Sequence, residues 1–184
     1  MKTLVHKLQS SEAAEIAEAA LVLPVVFVFL LGIVWFGRAF NIYSTIQQAA
    51  QQGAIAAARP TCATCVSTTS TFPSDGTVVN AVTAVMQASS LDPGQIPSNS
   101  SSLPKAFCTN PPGACSTGNI SICRQVLFNP DPSSPSATQP PANQPPICGT
   151  LVSFQYPFQF YLPFTSLNLS SITLTAQAQS RTEN

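Results

Sequence analysis

The apolar positions fall into one continuous stretch, one periodic stretch and several short alternating ones. From Ala19 to Gly37 the apolar run is unbroken, with Glu12, Glu15 and Glu18 before it and Arg38 behind it. As a helix this run rises about 28 Å, close to the thickness of a bilayer's hydrocarbon core, so it predicts a transmembrane span over 19–37. Pro24 lies inside the run and has no N–H for the Ala20 carbonyl, which predicts a kink or local melting there. Beyond Arg38 the pattern becomes periodic. Ala39, Ile42, Ile46, Ala49, Gly53 and Ala56 recur at spacings of three and four, while Asn41, Ser44, Thr45, Gln48, Gln51 and Gln52 fall elsewhere. The span therefore continues as an amphipathic helix until Arg59-Pro60 stops it. From about Ala14 to Ala58 such a helix measures roughly 68 Å. Its outer half carries a face of Ala49, Ala50, Gly53, Ala54 and Ala57, small enough for a sheet or helix to approach closely.

Shorter elements follow. A Ser/Thr-rich connector from Pro60 to Thr77 contains Cys62-Ala-Thr-Cys65. Val78, Val79, Val82, Val85 and Met86 predict a second helix from about Val78 to Ser89, and Leu91 to Gly118 reads as loop. A strand is expected at about Ile120 to Phe128. The stretch 129–146 contains Pro130, Pro132, Pro135, Pro140, Pro141, Pro145 and Pro146 and almost nothing apolar, which predicts an exposed, semi-extended excursion. Val152, Phe154, Tyr156, Phe158 and Phe160 alternate with Ser153, Gln155 and Gln159, predicting a strand with a buried aromatic face; Pro157 within it predicts a sheet edge or a bulge. In the last strand Ile172, Leu174, Ala176 and Ala178 alternate with Thr173, Thr175, Gln177 and Gln179. Packing the aromatic face on the small-residue face of the helix gives an α+β fold.

Charge and cysteine usage narrow the setting. Lys2 and Lys7 precede the span and Arg38 alone lies close behind it, so the positive-inside rule favours a cytoplasmic N-terminus. The run is too long for a secretory signal peptide, and Trp35, Phe36, Arg38 and Phe40 occupy the place of a small-residue cleavage site. All 6 cysteines, Cys62, Cys65, Cys108, Cys115, Cys123 and Cys148, follow the span, which suggests a disulfide framework in an oxidising compartment. Spacing does not choose among their connectivities. With a net charge of +0 and 8% charged residues there is no basic footprint, so nucleic acid is excluded as a partner class.

Catalytic chemistry finds few candidates. The only histidine, His6, stands before the span, and the acids behind it up to Glu183 are Asp75, Asp92 and Asp131, each in a turn-like setting. The chain is accordingly expected not to be an enzyme and to need no cofactor or metal. Cys62-x-x-Cys65 admits a reading as a redox pair or half a zinc site, but it follows a helix and enters a connector, which favours a structural disulfide. Asn99-Ser-Ser101, Asn119-Ile-Ser121 and Asn168-Leu-Ser170 match a glycosylation pattern of the kind that arises by chance in a Ser/Asn-rich chain. Glu18 either seeks a specific partner within the span or reaches headgroup water from its end.

Three segments together resemble the N-terminal signature of TadE-like minor pseudopilins of the tight adherence (Tad/Flp) branch of bacterial type IV pilus systems. They are Glu18-Ala-Ala-Leu-Val-Leu-Pro24, Leu30-Leu-Gly-Ile-Val-Trp-Phe-Gly-Arg38 and Gln47-Gln-Ala-Ala-Gln-Gln-Gly-Ala54. The tail, Val152-Ser-Phe-Gln-Tyr-Pro-Phe158 and Ile172 through Arg181, resembles that family's closing strands; the middle of the chain carries no resemblance. The resemblance implies a pilin-like fold, with a cytoplasmic leader 1–13, a long helix 14–59 and an exported domain 60–184. It implies a cut by a prepilin peptidase between Ala13 and Ala14, which makes Glu18 the fifth mature residue. Alanine stands here where glycine usually precedes the cut, and Glu15 offers a second register with a cut between Ser10 and Ser11. Glu18 would then neutralise the new ammonium of a neighbouring subunit during assembly. The expected partners are membrane lipid, other pilin or pseudopilin subunits, the prepilin peptidase and an inner-membrane assembly platform. The expected location is the bacterial inner membrane, with the C-terminal domain periplasmic or extracellular. Two other readings stand beside this one: an unprocessed single-pass anchor presenting a Cys-stabilised binding module, and a membrane-tethered thiol oxidoreductase using Cys62 and Cys65.

Overall fold

The computed structural model describes residues 11–59, 72–98, 106–108, 113–116, 118–132, 139–159 and 172–181, with side-chain environments from Glu15 onward. Cys62, Cys65, Phe160 and most of the leader and connector lie outside the described residues. Helix α1 runs Ser11–Ala58 without interruption. The chain forms two compact units, with the boundary between Asn41 and Ile42.

In the first unit α1 stays helical through Pro24, so of the expected kink or local melting the melting does not occur. A single proline removes one intrahelical bond, whereas unwinding an apolar segment would strand several backbone groups without partners. Leu21, Leu23, Val28, Phe29, Ile33, Val34 and Phe36 are all exposed, Phe29 at 68%.

In the second unit the end of α1 is an integral part of the core. Thr45 and Ile46, Ala49 and Ala50, Gly53 and Ala54, and Ala57 and Ala58 are buried in adjacent pairs one turn apart, while Gln48, Gln51 and Gln52 face out. They pack with Val78, Val82 and Met86 of helix α2 (Asp75–Ala88) and with Val152, Phe154 and Tyr156 of the sheet. Gly53 is where the approach is closest: a methyl there would lie 2.5 Å from Val82 Cγ2 and 3.3 Å from Val152 Cγ1. Gln47 adds a polar tie, its amide donating to the Thr175 carbonyl at 3.3 Å.

Strands β1 (Ala114–Ser116), β2 (Ser121–Leu127), β3 (Cys148–Phe158) and β4 (Ile172–Arg181) form an antiparallel sheet in the order β1-β2-β3-β4. β4 follows the expected alternation from Leu174 onward, with Ala176 and Ala178 buried, Leu174 half-buried and Thr175, Gln177 and Gln179 exposed, whereas Ile172 at the start of the strand is exposed. β3 pairs with β4 in unbroken register from Gly149↔Arg181 to Phe158↔Ile172, so Pro157 causes no bulge. Pairing with β2 ends at Ser121↔Ser153, so among the described residues Pro157 lies where β3 has β4 alone beside it, a local sheet edge of the kind that tolerates proline. The bulge is instead in β2, between Cys123 and Val126, with Gln125 at a positive φ of 56°. One extra residue keeps Cys123 and Val126 on the same face, where they cluster with Leu151.

Other expectations are corrected. Helix α2 begins at Asp75, not Val78, because the Ser74 hydroxyl caps it by accepting from the Thr77 N–H at 3.4 Å. Asp75, expected to form a turn, is therefore in the first helical turn. The stretch read as loop from Leu91 to Gly118 contains a 3₁₀ turn at Pro93–Gln95, strand β1 and a bridge from Phe107 to Val126. β1 is too short for periodicity to reveal, and its cysteine pairs directly with the cysteine opposite it on β2. Finally, Ser153 is buried rather than outward-facing, because β3 is covered on both faces up to Phe154. The Pro-rich excursion joins β2 to β3, and its described residues are exposed or half-buried. Asn129 closes its base, accepting from the Ile147 N–H at 2.7 Å and donating to the Pro145 carbonyl at 2.9 Å.

Gly53→Ala is expected to destabilise the second unit by about 1–3 kcal/mol through overpacking against Val82 and Val152. Urea unfolding followed by near-ultraviolet circular dichroism checks this, and an unchanged midpoint would show that the helix seat has slack.

Candidate functional site

The features with functional content are the apolar helix and the bonds that hold the second unit in shape. Among the described residues no cluster of three or more His, Cys, Asp or Glu side chains is placed to hold a metal. A cavity of about 410 Å³ opens beside α2, lined among others by Asp75, Val79, Thr83, Ile96, Asn119 and Ile122. Its one ionisable lining residue, Asp75, is ion-paired with Arg124. The cavity offers apolar surface and no general acid–base pair.

The first unit presents one helix long and apolar enough to cross a membrane. Ala13 and Ala14 lie in its first turns, and Glu15 and Glu18 are exposed at the N-terminal end of the apolar run. These positions share one continuous helix, so Ala14 and Glu18 are separated by about one turn, roughly 6 Å along the axis. At the other end of the run Arg38 lies over the ring of Trp35, with 5.8 Å between its guanidinium carbon and the ring centroid. Gly32 and Gly37 have open space where a Cβ would project.

In the second unit two disulfides are formed, Cys108–Cys148 and Cys115–Cys123. Cys108–Cys148 ties the segment carrying Phe107 to the first residue of β3, and this segment also bonds to the bulged part of β2: the Cys108 N–H donates to the Gln125 carbonyl at 2.7 Å. Cys115–Cys123 joins facing residues of β1 and β2. The redox reading of Cys62 and Cys65 falls on residues outside those described.

Arg124 is the structural residue that sequence patterns did not single out. It pairs with the Asp75 carboxylate and donates to the Pro73 carbonyl at 2.8 Å, anchoring the start of α2 to β2. Its signal in the sequence was modest: a lone cation in an otherwise uncharged strand. Tyr156 is the other buried polar group with a consequence. Burial pushes its phenol above the ordinary value; the Asp92 carboxylate adds to the rise and a hydrogen bond from the Asp92 backbone opposes it. Asp92 also serves as a turn former, its carboxylate accepting from the Gly94 N–H at 2.9 Å.

Two outcomes are expected of the second unit. Below the phenol's unfolded value near 10.0, Tyr156 is protonated whether the chain is folded or not, and its burial costs no ionisation. Above it the unfolded chain ionises first, so stability falls as pH rises past that value, and Tyr156→Phe should flatten the fall in urea midpoints taken across alkaline pH. Separately, removing Cys108–Cys148, which spans 40 residues, should cost more than removing Cys115–Cys123, which spans 8. The chain-entropy difference is about 1.4 kcal/mol. Equal losses in paired Cys→Ala variants would rule out loop closure as the origin.

No curated protein and no solved structure matches the chain. One family model does match, over residues 13–54, and its description is TadE-like protein. That segment lies within α1 and includes Glu18, the apolar run and most of the small-residue face. Over residues 13–54 the chain thus resembles TadE-like proteins.

Proposed function

We propose that this chain is a minor pseudopilin-like structural subunit of a Tad/Flp-type pilus or secretion machine. It would be held in the inner membrane by α1 and would work by assembly, without turnover of a substrate. The observation that carries this reading is the coincidence of the TadE-like match with a helix whose apolar run is exposed. A soluble domain would bury such a surface, whereas a bilayer or a bundle of similar helices covers it. The partners are membrane lipid and other pilin or pseudopilin subunits, with a prepilin peptidase and an assembly platform acting on the leader and helix.

In this reading the peptidase cuts between Ala13 and Ala14, leaving an ammonium on Ala14 and Glu18 one turn further along the same helix. Among packed subunits the Glu18 carboxylate of one neutralises the Ala14 amine of its neighbour. The pair costs far less in an apolar bundle than either charge alone, so it favours one axial register over others. With the N-terminus of the chain towards the cytoplasm by the charge bias of Lys2 and Lys7, the second unit would lie outside the cytoplasm, where its disulfides persist.

The mature N-terminus, read by mass spectrometry of protein from membranes, is expected to be residue 14. An intact Met1 would favour an unprocessed single-pass anchor. Glu18→Ala is expected to insert normally and fail to enter filaments, and its normal incorporation would refute the role given to the carboxylate.

A further inference from the structure

The positively charged end of the apolar run has a chemistry of its own. Between Glu18 and Asp75 the sequence contains no acidic residue, so Arg38 has no carboxylate within a turn of helix on either side. It is exposed, and the contact shown for its guanidinium is with the Trp35 ring one turn back. A guanidinium stacked on an indole is held in a fixed orientation and still presents an N–H edge, the fork that matches a phosphate with two parallel hydrogen bonds. Glu18 and Arg38 bracket a charge-free stretch about 30 Å long, the thickness of the hydrocarbon core. When Glu18 lies at one interface, Trp35 and Arg38 lie at the other. Indole favours that level because its ring is apolar and its N–H is not.

We propose that Trp35 and Arg38 form a phospholipid site, in which the Arg38 guanidinium binds a headgroup phosphate and Trp35 orients it at the membrane boundary distal to the N-terminus. The contact supplies the missing counter-ion and sets the depth at which α1 leaves the bilayer. It rests on the reading of α1 as a membrane span. The axial position of every α1 residue, Glu18 included, follows from it, so the site fixes the level at which subunits meet before they assemble.

Trp35 is the only tryptophan in the sequence, so its fluorescence reports depth without a label. The full chain is reconstituted in vesicles of phosphatidylethanolamine and phosphatidylglycerol containing lipids brominated at shallow or deep acyl positions. Quenching is expected to be stronger from the shallow bromines. Arg38→Gln should shift the strongest quenching towards the deep position, and Arg38→Lys, which keeps the charge but loses the planar fork, should restore the shallow pattern only in part. Vesicles of digalactosyldiacylglycerol, whose headgroup has no phosphate, should make the unaltered chain behave like Arg38→Gln. If Arg38→Gln leaves the depth unchanged, or the galactolipid does, the phosphate site is overturned while the membrane span stands. If the chain fails to float with vesicles of either kind, both readings fall.

Discussion

The second unit depends on the closeness with which α1 meets the sheet. Where a helix carries alanine and glycine in successive turns, its backbone comes near enough for β-branched and aromatic side chains of the opposing layer to fill the gap. Ile46, Ala49, Ala50, Ala54 and Ala57 do this against Val152, Phe154 and Tyr156, and Gly53 marks the closest point, at Val82 and Val152. Dispersion is short-ranged, so a small gap here would forfeit much of the contact energy. Helix α2, the register of β3 on β4 and the cap at Ser74 all build around that seat.

The rest of the second unit is held by individual bonds. Arg124 joins the start of α2 to β2, and the disulfides join β1 to β2 and the Phe107 segment to β3. Each acts where the apolar core does not reach: β1 is three residues long, and the cluster of Ala106, Cys108 and Leu127 is small. A domain with long loops buries little area per residue, so cross-links that limit the unfolded chain matter in proportion.

The first unit follows a different rule. Its apolar side chains are exposed, and in the proposed reading a lipid or helical environment covers them. Its few polar features gain meaning from the same fact. Glu18 at one end and Arg38 at the other bracket the run, and each must find its counter-charge outside its own helix. The proposed answers differ, a neighbouring subunit's ammonium for Glu18 and a lipid phosphate for Arg38, and they are compatible because they lie at opposite ends.

Most of the architecture was legible from residue order, because periodicity directly encodes which face is buried. The unbroken run to Gly37, the three-and-four spacing after Arg38 and the alternation of β4 each identified an element and its inner face. What stayed hidden depended on contacts between residues distant in sequence. Strand β1 carries too few residues for a period, and it exists because Cys115 faces Cys123. The bulge at Gln125 and the burial of Ser153 follow from what covers the second face of the sheet, which no local pattern records. Pro157 shows the division most clearly: the amino acid alone excluded a fully paired position, and only the length of β2 decided that a local edge, not a bulge, would accommodate it. Residue order determined the helix, its membrane-length run and its packing face, since these are properties of one segment; tertiary structure decided which cysteines met and what Arg124 held, since these require two.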